Sequence, residues 1–329
     1  MIARRLDIYS PEIYSEFIDA TLKKHNAFVL WKDSQEKNIL HHQIFIPADE
    51  CESILDAMEA KLSGVDGFRI IIIPVEAIIP RLQDREEREK KIILNDSPRV
   101  SREELYSDIV NTIDLNWVYL ALVVLSTFVA AVGLIKDSVA VIIGAMVIAP
   151  LLGPNVGLAL ATSLADLKLG LRAALTLSSG LFLAMFLAIL MGVFLDFDPM
   201  TNEIAMRTKV SYGDLVVALA SGSVGVLAFT TALPTMLVGV MVAVALLPPL
   251  VTTGLLLGAG HFEGASGAAL LLLTNLICVN LAGVITFYIQ GVRPLTWWDA
   301  EKAKKATWKA LIIWLLLLVI LIVLITISN

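Results

Sequence analysis

The polar side chains near the middle of this chain's most apolar segments are uncharged, and several of them lie close to prolines. Asn155 follows Pro154 directly, and Thr252 comes three residues after Pro249. A proline inside a membrane-spanning helix leaves backbone groups without their usual partners, and these groups must be satisfied or line a cavity. Freed amides favour anions and freed carbonyls favour cations, so such segments can bind a small solute or an ion.

The candidate substrate-binding residues share this position in an apolar segment, beside a proline or with an amide or hydroxyl group. They are Pro150, Gly153, Pro154, Asn155, Ser221, Ser223, Pro248, Pro249, Thr252, Asn275 and Asn280. For each residue a structural role is the alternative, because serine and threonine in membrane helices often bond to their own backbone or join two helices. Asn155 and Asn280 are the more informative members, since a side-chain amide is costlier to bury.

Other kinds of chemistry find little support in the sequence. Asp137, Asp166, Asp196 and Asp214 fall at the ends of the apolar segments, so no buried carboxylate relay for protons is visible. No Ser/His or Asp/Asp pair is placed for catalysis inside the membrane. The two cysteines form no CxxC motif or Cys/His cluster. We therefore expect no enzyme activity, no metal and no cofactor, and we expect free thiols.

Two of the apolar segments resemble each other. Shifted by 95 positions, residues 144–157 align without a gap with residues 239–252. Identical residues in this alignment are Gly144, Met146, Val147, Leu151, Leu152, Pro154 and Val156. The alternative is that apolar segments of similar composition always look alike, but shared glycine, methionine and proline favour a duplication. Paired, proline-interrupted segments are the best pointer in a sequence to a transport site.

Composition separates a soluble part from a membrane part. Of 329 residues, 57% are hydrophobic and only 17% are charged, and most of the charge lies in residues 1–115. We predict three parts: a soluble domain over residues 1–80, a charged linker with an amphipathic helix over 81–116, and a transmembrane domain over 117–329. The net charge of −6 comes with no basic patch, so we expect no nucleic-acid partner.

The apolar runs predict about seven membrane-spanning helices. Their predicted bounds are 117–135, 138–162, 168–195, 212–231, 233–259, 265–290 and 308–328. The first six would form two repeats, about 117–195 and 212–290, and 308–328 would be an accessory span. Three spans in each half force the second half to enter from the opposite side, which makes the repeat inverted. Basic residues favour the side of the N-terminus, so we expect a multi-pass protein of the plasma (inner) membrane with a cytoplasmic N-terminal domain.

The N-terminal part has the pattern of a small α+β domain. Strands are predicted over Ile2–Tyr9, Ala27–Trp31, Leu40–Ile46 and Phe68–Val75, with an amphipathic helix after the first strand and another after the third. The order βαββαβ is that of a ferredoxin-like fold. Such a domain can hold subunits together or bind a regulatory ligand. We expect a homo-oligomer, since pairing would cover the sheet edges.

The chain resembles a family of hydrophobic membrane proteins known as domain of unknown function family 389. The resemblance rests on three motifs: Pro74–Arg81 at the domain junction, Ile143–Pro154 and Val244–Pro249. It covers nearly the whole chain. The resemblance implies prokaryotic origin and a multispan core, and it implies no activity and no catalytic residues.

Two functions fit these patterns. The first is a membrane transporter or channel-like permease for a small solute or ion, with a midplane site between two proline-broken helices and a cytoplasmic regulatory or oligomerisation domain. The second is a membrane-anchored ligand sensor or assembly scaffold, whose spans only anchor and assemble. A water-accessible cavity beside Pro154 and Pro249 would favour transport, and a ligand pocket in residues 1–80 would favour sensing. The sequence names no substrate for either function.

Overall fold

The computed structural model describes residues 3–25, 27–35, 39–75, 100–231, 235–292 and 312–320, together with residues 323 and 326. The chain divides into two compact units, Met1–Tyr106 and Ser107–Asn329. The predicted charged run after residue 81, up to residue 99, lies outside the described residues. Most of the predicted accessory span 308–328 does too, apart from a helical stretch over residues 312–320.

The first unit is a four-stranded antiparallel sheet with two helices. Its elements are β1 (Ala3–Pro11), a short 3-10 helix (Glu12–Tyr14), α1 (Ser15–Lys24), β2 (Phe28–Gln35), β3 (Ile39–Pro47), α2 (Ala48–Leu62) and β4 (Arg69–Val75). The sheet order is β2-β3-β1-β4, and every neighbouring pair is antiparallel. This confirms the predicted βαββαβ order of elements.

The core of this unit follows from alternation along its strands. Strand β3 alternates between buried and half-buried positions, so one face of the sheet packs under the helices. The residues that fill this core include Leu6, Ile8, Ile44 and Ile46 from the sheet and Ile18, Leu22, Ile54 and Met58 from the helices. Cys51 is buried in the same core and is a free thiol. Burial raises the pKa of Cys51 to about 12, so this thiol stays protonated at neutral pH.

The second unit is a bundle of apolar helices. Helix α3 (Arg102–Thr112) contains the boundary between the units. The helices that follow it are α4 (Trp117–Ile135), α5 (Val139–Ile148), α6 (Leu152–Leu164), α7 (Leu167–Phe194), α8 (Asn202–Ala205), α9 (Tyr212–Thr230), α10 (Thr235–Gly258) and α11 (Phe262–Ile289). Their bounds agree with the first six predicted spans to within a few residues, except that the second predicted span is two helices, α5 and α6.

Four helices of the described part are long and apolar enough to cross a membrane: α4, α7, α9 and α11. The pair α5 and α6 passes the same test as one bent span, which gives up to five. Seven spans are therefore not confirmed. Helix α10 runs for 24 residues as a single helix, and its stretch Ala245–Gly258 is too short to cross a membrane by itself. These apolar helices are those of a membrane protein.

Small residues let several of these helices pack closely against neighbouring segments. A Cβ added at Gly222 of α9 would lie 2.8 Å from the Cα atom of Val279 on α11. At Gly157 of α6 it would lie 2.7 Å from Cγ2 of Ile113, which follows α3. Contacts this short leave no room for a methyl group. Glycine therefore sets the helix separation at these positions, as small residues commonly do in membranes.

A loop between α7 and α9 is tied to the turn between α4 and α5 by one carboxylate. Asp137 accepts hydrogen bonds from the backbone amide of Glu203 (2.8 Å) and from the side-chain amide of Asn202 (2.9 Å). The amide of Glu203 lies in the first turn of the short helix α8, where it has no partner within the helix. Asp137 also has a positive φ of 52°, which asparagine tolerates better than most residues.

Replacing Asp137 by alanine should therefore destabilise the second unit by about 1 kcal/mol, because a capping acceptor is lost and the left-handed backbone remains. Asp137→Asn should keep most of the stability, because it retains one acceptor and suits the same φ. Thermal unfolding of the detergent-solubilised protein, followed by circular dichroism, measures the difference. Equal midpoints for the alanine and asparagine variants would contradict this role of the carboxylate.

Candidate functional site

In the described part of the membrane domain, one helix pair is bent, and its bend lies at a proline where the sequence predicts a break. Helix α5 ends at Ile148, α6 begins at Leu152, and the two meet at an angle of 54°. Pro150 lies in the turn between them, and the neighbouring Ala149 and Leu151 are buried. Pro154 is the third residue of α6, where a missing amide removes no helical hydrogen bond. The prediction of a break in the segment Gly144–Pro154 is thus confirmed.

The start of α6 packs closely against the end of α3. A Cβ added at Gly153 would lie 2.6 Å from the side chain of Thr112 and 2.8 Å from its carbonyl oxygen. Thr176 on α7 joins the same region, because its hydroxyl donates to the carbonyl of Ile113 at 2.7 Å. Gly153 is therefore required for packing, and its predicted place in a binding site has this structural explanation beside the functional one.

Two asparagines meet at the first turn of α6. The Asn155 side-chain amide donates to the carbonyl oxygen of Leu151, at the bend, over 2.8 Å. The Asn280 amide on α11 donates to Oδ1 of Asn155 over 3.1 Å and to the carbonyl of Leu276 over 2.9 Å. Both asparagines are 1% exposed. The structure thus brings together two predicted site residues that are 125 positions apart in the chain.

The second proline pair behaves differently from the first. Pro248 and Pro249 lie inside α10, which remains one helix, so the expectation of a second break at this position is wrong. A proline at position 249 cannot donate to the carbonyl of Ala245, its usual partner four residues earlier. The side-chain amide of Asn275 donates to that carbonyl instead, over 2.7 Å. This replacement donor offsets the cost of the proline and lets the helix continue through it.

Among the described residues within α10 and α11, three buried side-chain oxygen atoms have no hydrogen-bond partner in the protein. They are Oγ1 of Thr252, Oδ1 of Asn275 and Oδ1 of Asn280. Their residues are 0%, 5% and 1% exposed. By contrast, the neighbouring Thr253 hydroxyl donates to the carbonyl of Pro249 over 2.7 Å. Because an unpaired buried polar group is costly, each of the three atoms suits a ligand or a water molecule.

The predicted serines stand apart from this arrangement. The hydroxyl of Ser221 donates to the carbonyl of Val217 in its own helix, over 2.7 Å. This is the structural role that the sequence left open for it. Ser223 is half-buried on the same helix.

The surroundings of these groups are uncharged in the part of the bundle that the structure describes. Lys168, Asp214 and Glu263 lie in the first turns of their helices, and Arg172 lies in the second turn of α7, so all four are near the ends of the spans. Among the described residues, no group of three His, Cys, Asp or Glu side chains could hold a metal ion. The arrangement can bind an uncharged solute or an ion through neutral groups, and it presents no acid, base or nucleophile at the asparagines.

One group that the sequence reasoning missed is a backbone atom, the carbonyl oxygen of Ala245. The signal for it was present, because Pro249 stands four residues later and must leave this oxygen without its helical donor. The donor itself could not be read from local spacing, since Asn275 belongs to another helix.

Comparison with known proteins assigns the chain to a family, and that family has no described activity. The family model described as Domain of unknown function (DUF389) matches residues 146–281, which include both asparagines that meet at the bend. An uncharacterized protein of Methanocaldococcus jannaschii is 34% identical over 298 residues, covering 90% of this chain and 91% of the relative. No solved structure matches the chain. At this identity over nearly the full length of both proteins, the chain belongs to the DUF389 family.

Proposed function

We propose that the protein is a membrane transporter or channel-like permease for a small solute or ion. The binding site would lie within the bundle, near the middle of the membrane, between the bend of α5 and α6 and helices α10 and α11. The observation that carries the proposal is the bent helix pair whose bend is buried beside Asn155 and Asn280. Irregular backbone at membrane depth is tolerated where it is enclosed by protein or lines a cavity, and transporters use it to bind their substrates.

Further parts of the proposal concern topology. We propose seven spans arranged as an inverted 3+3 repeat with one accessory span, in the plasma (inner) membrane, with the N-terminal domain in the cytoplasm. The matching residues of the two proline segments support a duplication. The continuous α10 would then be the copy in which Asn275 fills the gap left by the proline.

The first unit would regulate or assemble the transporter. Strands β2 and β4 are the outer strands of its sheet. Unpaired strand edges are stabilised when another chain covers them, which supports a homo-oligomer. Mass measurement of the detergent-solubilised protein would give the number of copies in the oligomer.

Flux measurements on the full chain in liposomes test the proposal. We expect uptake of at least one member of a panel of labelled monovalent cations, anions and small neutral solutes to exceed uptake by protein-free vesicles. Asn280→Leu should lower that uptake about tenfold or more, because it removes an amide at the bend. Thr274→Val is the matched control, since this residue of the same helix is equally buried and its hydroxyl is satisfied by the carbonyl of Leu270.

The outcomes separate the two functions considered from the sequence. Uptake that is lowered in Asn280→Leu and unchanged in Thr274→Val supports transport through this site. No uptake of any solute by a correctly folded protein would overturn the proposal and leave a membrane-anchored sensor or scaffold. Size-exclusion chromatography of both variants establishes that they fold like the unmodified chain.

A further inference from the structure

The unpartnered buried side-chain atoms on the described residues of α10 and α11 are all oxygens. Thr252, Asn275 and Asn280 each present a buried oxygen, and in these three residues no side-chain nitrogen is left without a partner. The amide orientations are fixed by chemistry. Each asparagine nitrogen faces a backbone carbonyl, of Ala245 or Leu276, which can only accept a hydrogen bond. The oxygens are therefore the atoms left free.

These oxygens form a row along the bundle. Helices α10 and α11 are joined by a short turn and run antiparallel, with Asn275 level with Ala245. Thr252 lies seven residues from Ala245 towards the turn, which is about 10 Å along α10. Asn280 lies five residues beyond Asn275 on the other side, about 7.5 Å along α11. Together the row covers roughly 18 Å, more than half of a hydrocarbon layer of about 30 Å.

The row also turns around α11. Five residues of helix correspond to a rotation of about 140°, so Asn275 and Asn280 face different neighbours. Asn275 faces α10, where it bonds to Ala245, and Asn280 faces α6, where it bonds to Asn155. The sequence of oxygens therefore leads from the α10–α11 contact to the bend between α5 and α6.

The amide oxygens of Asn275 and Asn280 can only accept a hydrogen bond, and the Thr252 hydroxyl can turn its lone pairs to the same ligand, so the three groups together favour a positive charge. A positive ion satisfies a buried, unpaired oxygen, whereas an anion would be repelled by it. The described spans contribute no carboxylate here, and divalent cations in proteins are mostly bound through carboxylates. Amide and hydroxyl oxygens without formal charge suit a monovalent cation, whose cost of dehydration is lower.

One feature of the bend works in the opposite direction. The start of α6 is the positive end of a helix, which favours anions. Its first turn is, however, closed on one side by Thr112, whose carbonyl oxygen packs against Gly153. Pro154 adds no amide, and the Leu151 carbonyl already accepts from Asn155. The free side-chain groups around this turn remain acceptors.

We infer that the oxygens of Thr252, Asn275 and Asn280 are binding positions for a monovalent inorganic cation along the path through the bundle. This inference rests on the proposed transport function and specifies its substrate or coupling ion. It predicts that the site excludes anions, although no charged side chain of the described residues lies there to repel them.

Binding is tested apart from transport, on the full chain in detergent. Thermal unfolding is measured in sodium, potassium and rubidium chloride, each against N-methylglucamine chloride at equal ionic strength. We expect at least one of these cations to raise the midpoint by about 3–6 °C at ten times its Kd. Exchanging chloride for nitrate or gluconate should not change that rise.

Two adjacent threonines supply the variant and its control. Thr252→Val removes an oxygen that has no protein partner, so the fold should be kept, and we expect the apparent Kd for the cation to rise about tenfold. Thr253→Val removes a hydroxyl that is already bonded to Pro249, and it should leave the Kd unchanged. A second variant, Asn275→Leu combined with Pro249→Ala, removes another oxygen of the row while restoring a donor for the Ala245 carbonyl.

The results bear separately on the two proposals. A midpoint that does not respond to any of the three cations, or that follows the anion, would overturn the cation row even if liposomes transport another solute. Cation binding that is weakened by Thr252→Val, without flux in liposomes, would support the row and overturn transport. Equal effects of Thr252→Val and Thr253→Val would also overturn the inference, since only one of these hydroxyls is free.

Discussion

Replacing Asn275 by leucine is expected to destabilise the membrane domain by about 1–2 kcal/mol, and replacing Pro249 by alanine in the same chain is expected to restore most of that loss. The Asn275 amide is the donor that reaches the Ala245 carbonyl, over 2.7 Å. Leucine fills a similar volume but donates nothing, so the carbonyl becomes an unsatisfied group in a buried, apolar setting. The unsatisfied group therefore belongs to the backbone of α10, although the substituted residue lies on α11.

The rescue follows from the same geometry. Alanine at position 249 has a backbone amide, which lies where a regular helix would donate to Ala245. In the chain with Asn275 intact, Pro249→Ala should change stability little, because the carbonyl already has a donor. The two substitutions should therefore be coupled by about 1 kcal/mol in a double-mutant cycle.

Equilibrium unfolding of the four proteins in mixed detergent, followed by circular dichroism, provides the cycle. Thr274→Val serves as the control for replacing a neighbouring buried polar residue on α11, whose hydroxyl bonds only within its own helix. Strictly additive effects of Asn275→Leu and Pro249→Ala would show that the asparagine does not compensate for the proline. The explanation of the continuous α10 would then have to be abandoned.

These residues also show how far the sequence could predict the structure. The bounds of the apolar helices were accessible, because the length of an apolar run is set by the thickness of the bilayer. The bend at Pro150 was accessible too, since proline disrupts a helix locally. Local information was insufficient at Pro249, where the deciding donor lies 30 positions away, and at Asn155, whose partner is 125 positions away.

The same distinction applies within the candidate site. A sequence marks Thr252 and Thr253 as equivalent neighbours beyond a proline, yet only the Thr253 hydroxyl is bonded. Successive helix residues differ in direction by about 100°, so the packing of surrounding helices decides which hydroxyl finds a carbonyl. Ser221 illustrates the opposite outcome, in which a residue of the right type is satisfied within its own helix.

Replacing Gly258 by alanine is expected to lower the free energy of unfolding by about 3 kcal/mol. Helices α7 and α10 are in backbone contact here. A Cβ added at Gly258 would overlap the carbonyl oxygen of Ile189 and lie 2.9 Å from the Cα atom of Gly192. Gly254 lies one turn earlier, and a Cβ added there would overlap the Cβ of Ala188 and lie 3.1 Å from the backbone nitrogen of Ile189. Backbone atoms cannot turn aside as a flexible side chain does, so the two helices must separate.

A suitable control lies in α5. Gly144 is exposed, and a Cβ added there would meet no heavy atom within 4 Å. Gly144→Ala should therefore leave stability unchanged or raise it by up to about 1 kcal/mol, since alanine favours a helix over glycine. The midpoints of thermal unfolding of both variants are measured in detergent. Gly144→Ala adds a methyl group in open space, and Gly258→Ala adds one at a helix contact. A Gly258→Ala midpoint equal to that of the unmodified chain would contradict the close approach of α7 and α10.

Gly192 of α7 lies at the same helix contact as Gly258 and faces it from the opposite helix. A Cβ added there would lie 3.0 Å from the Cα atom of Gly258 and would overlap the carbonyl of Leu255. Gly192→Ala should therefore cost about as much as Gly258→Ala, again about 3 kcal/mol. The double variant should cost clearly less than the sum, because helices separated to admit one methyl group leave room for the second. Full additivity would mean that the two glycines act at independent contacts.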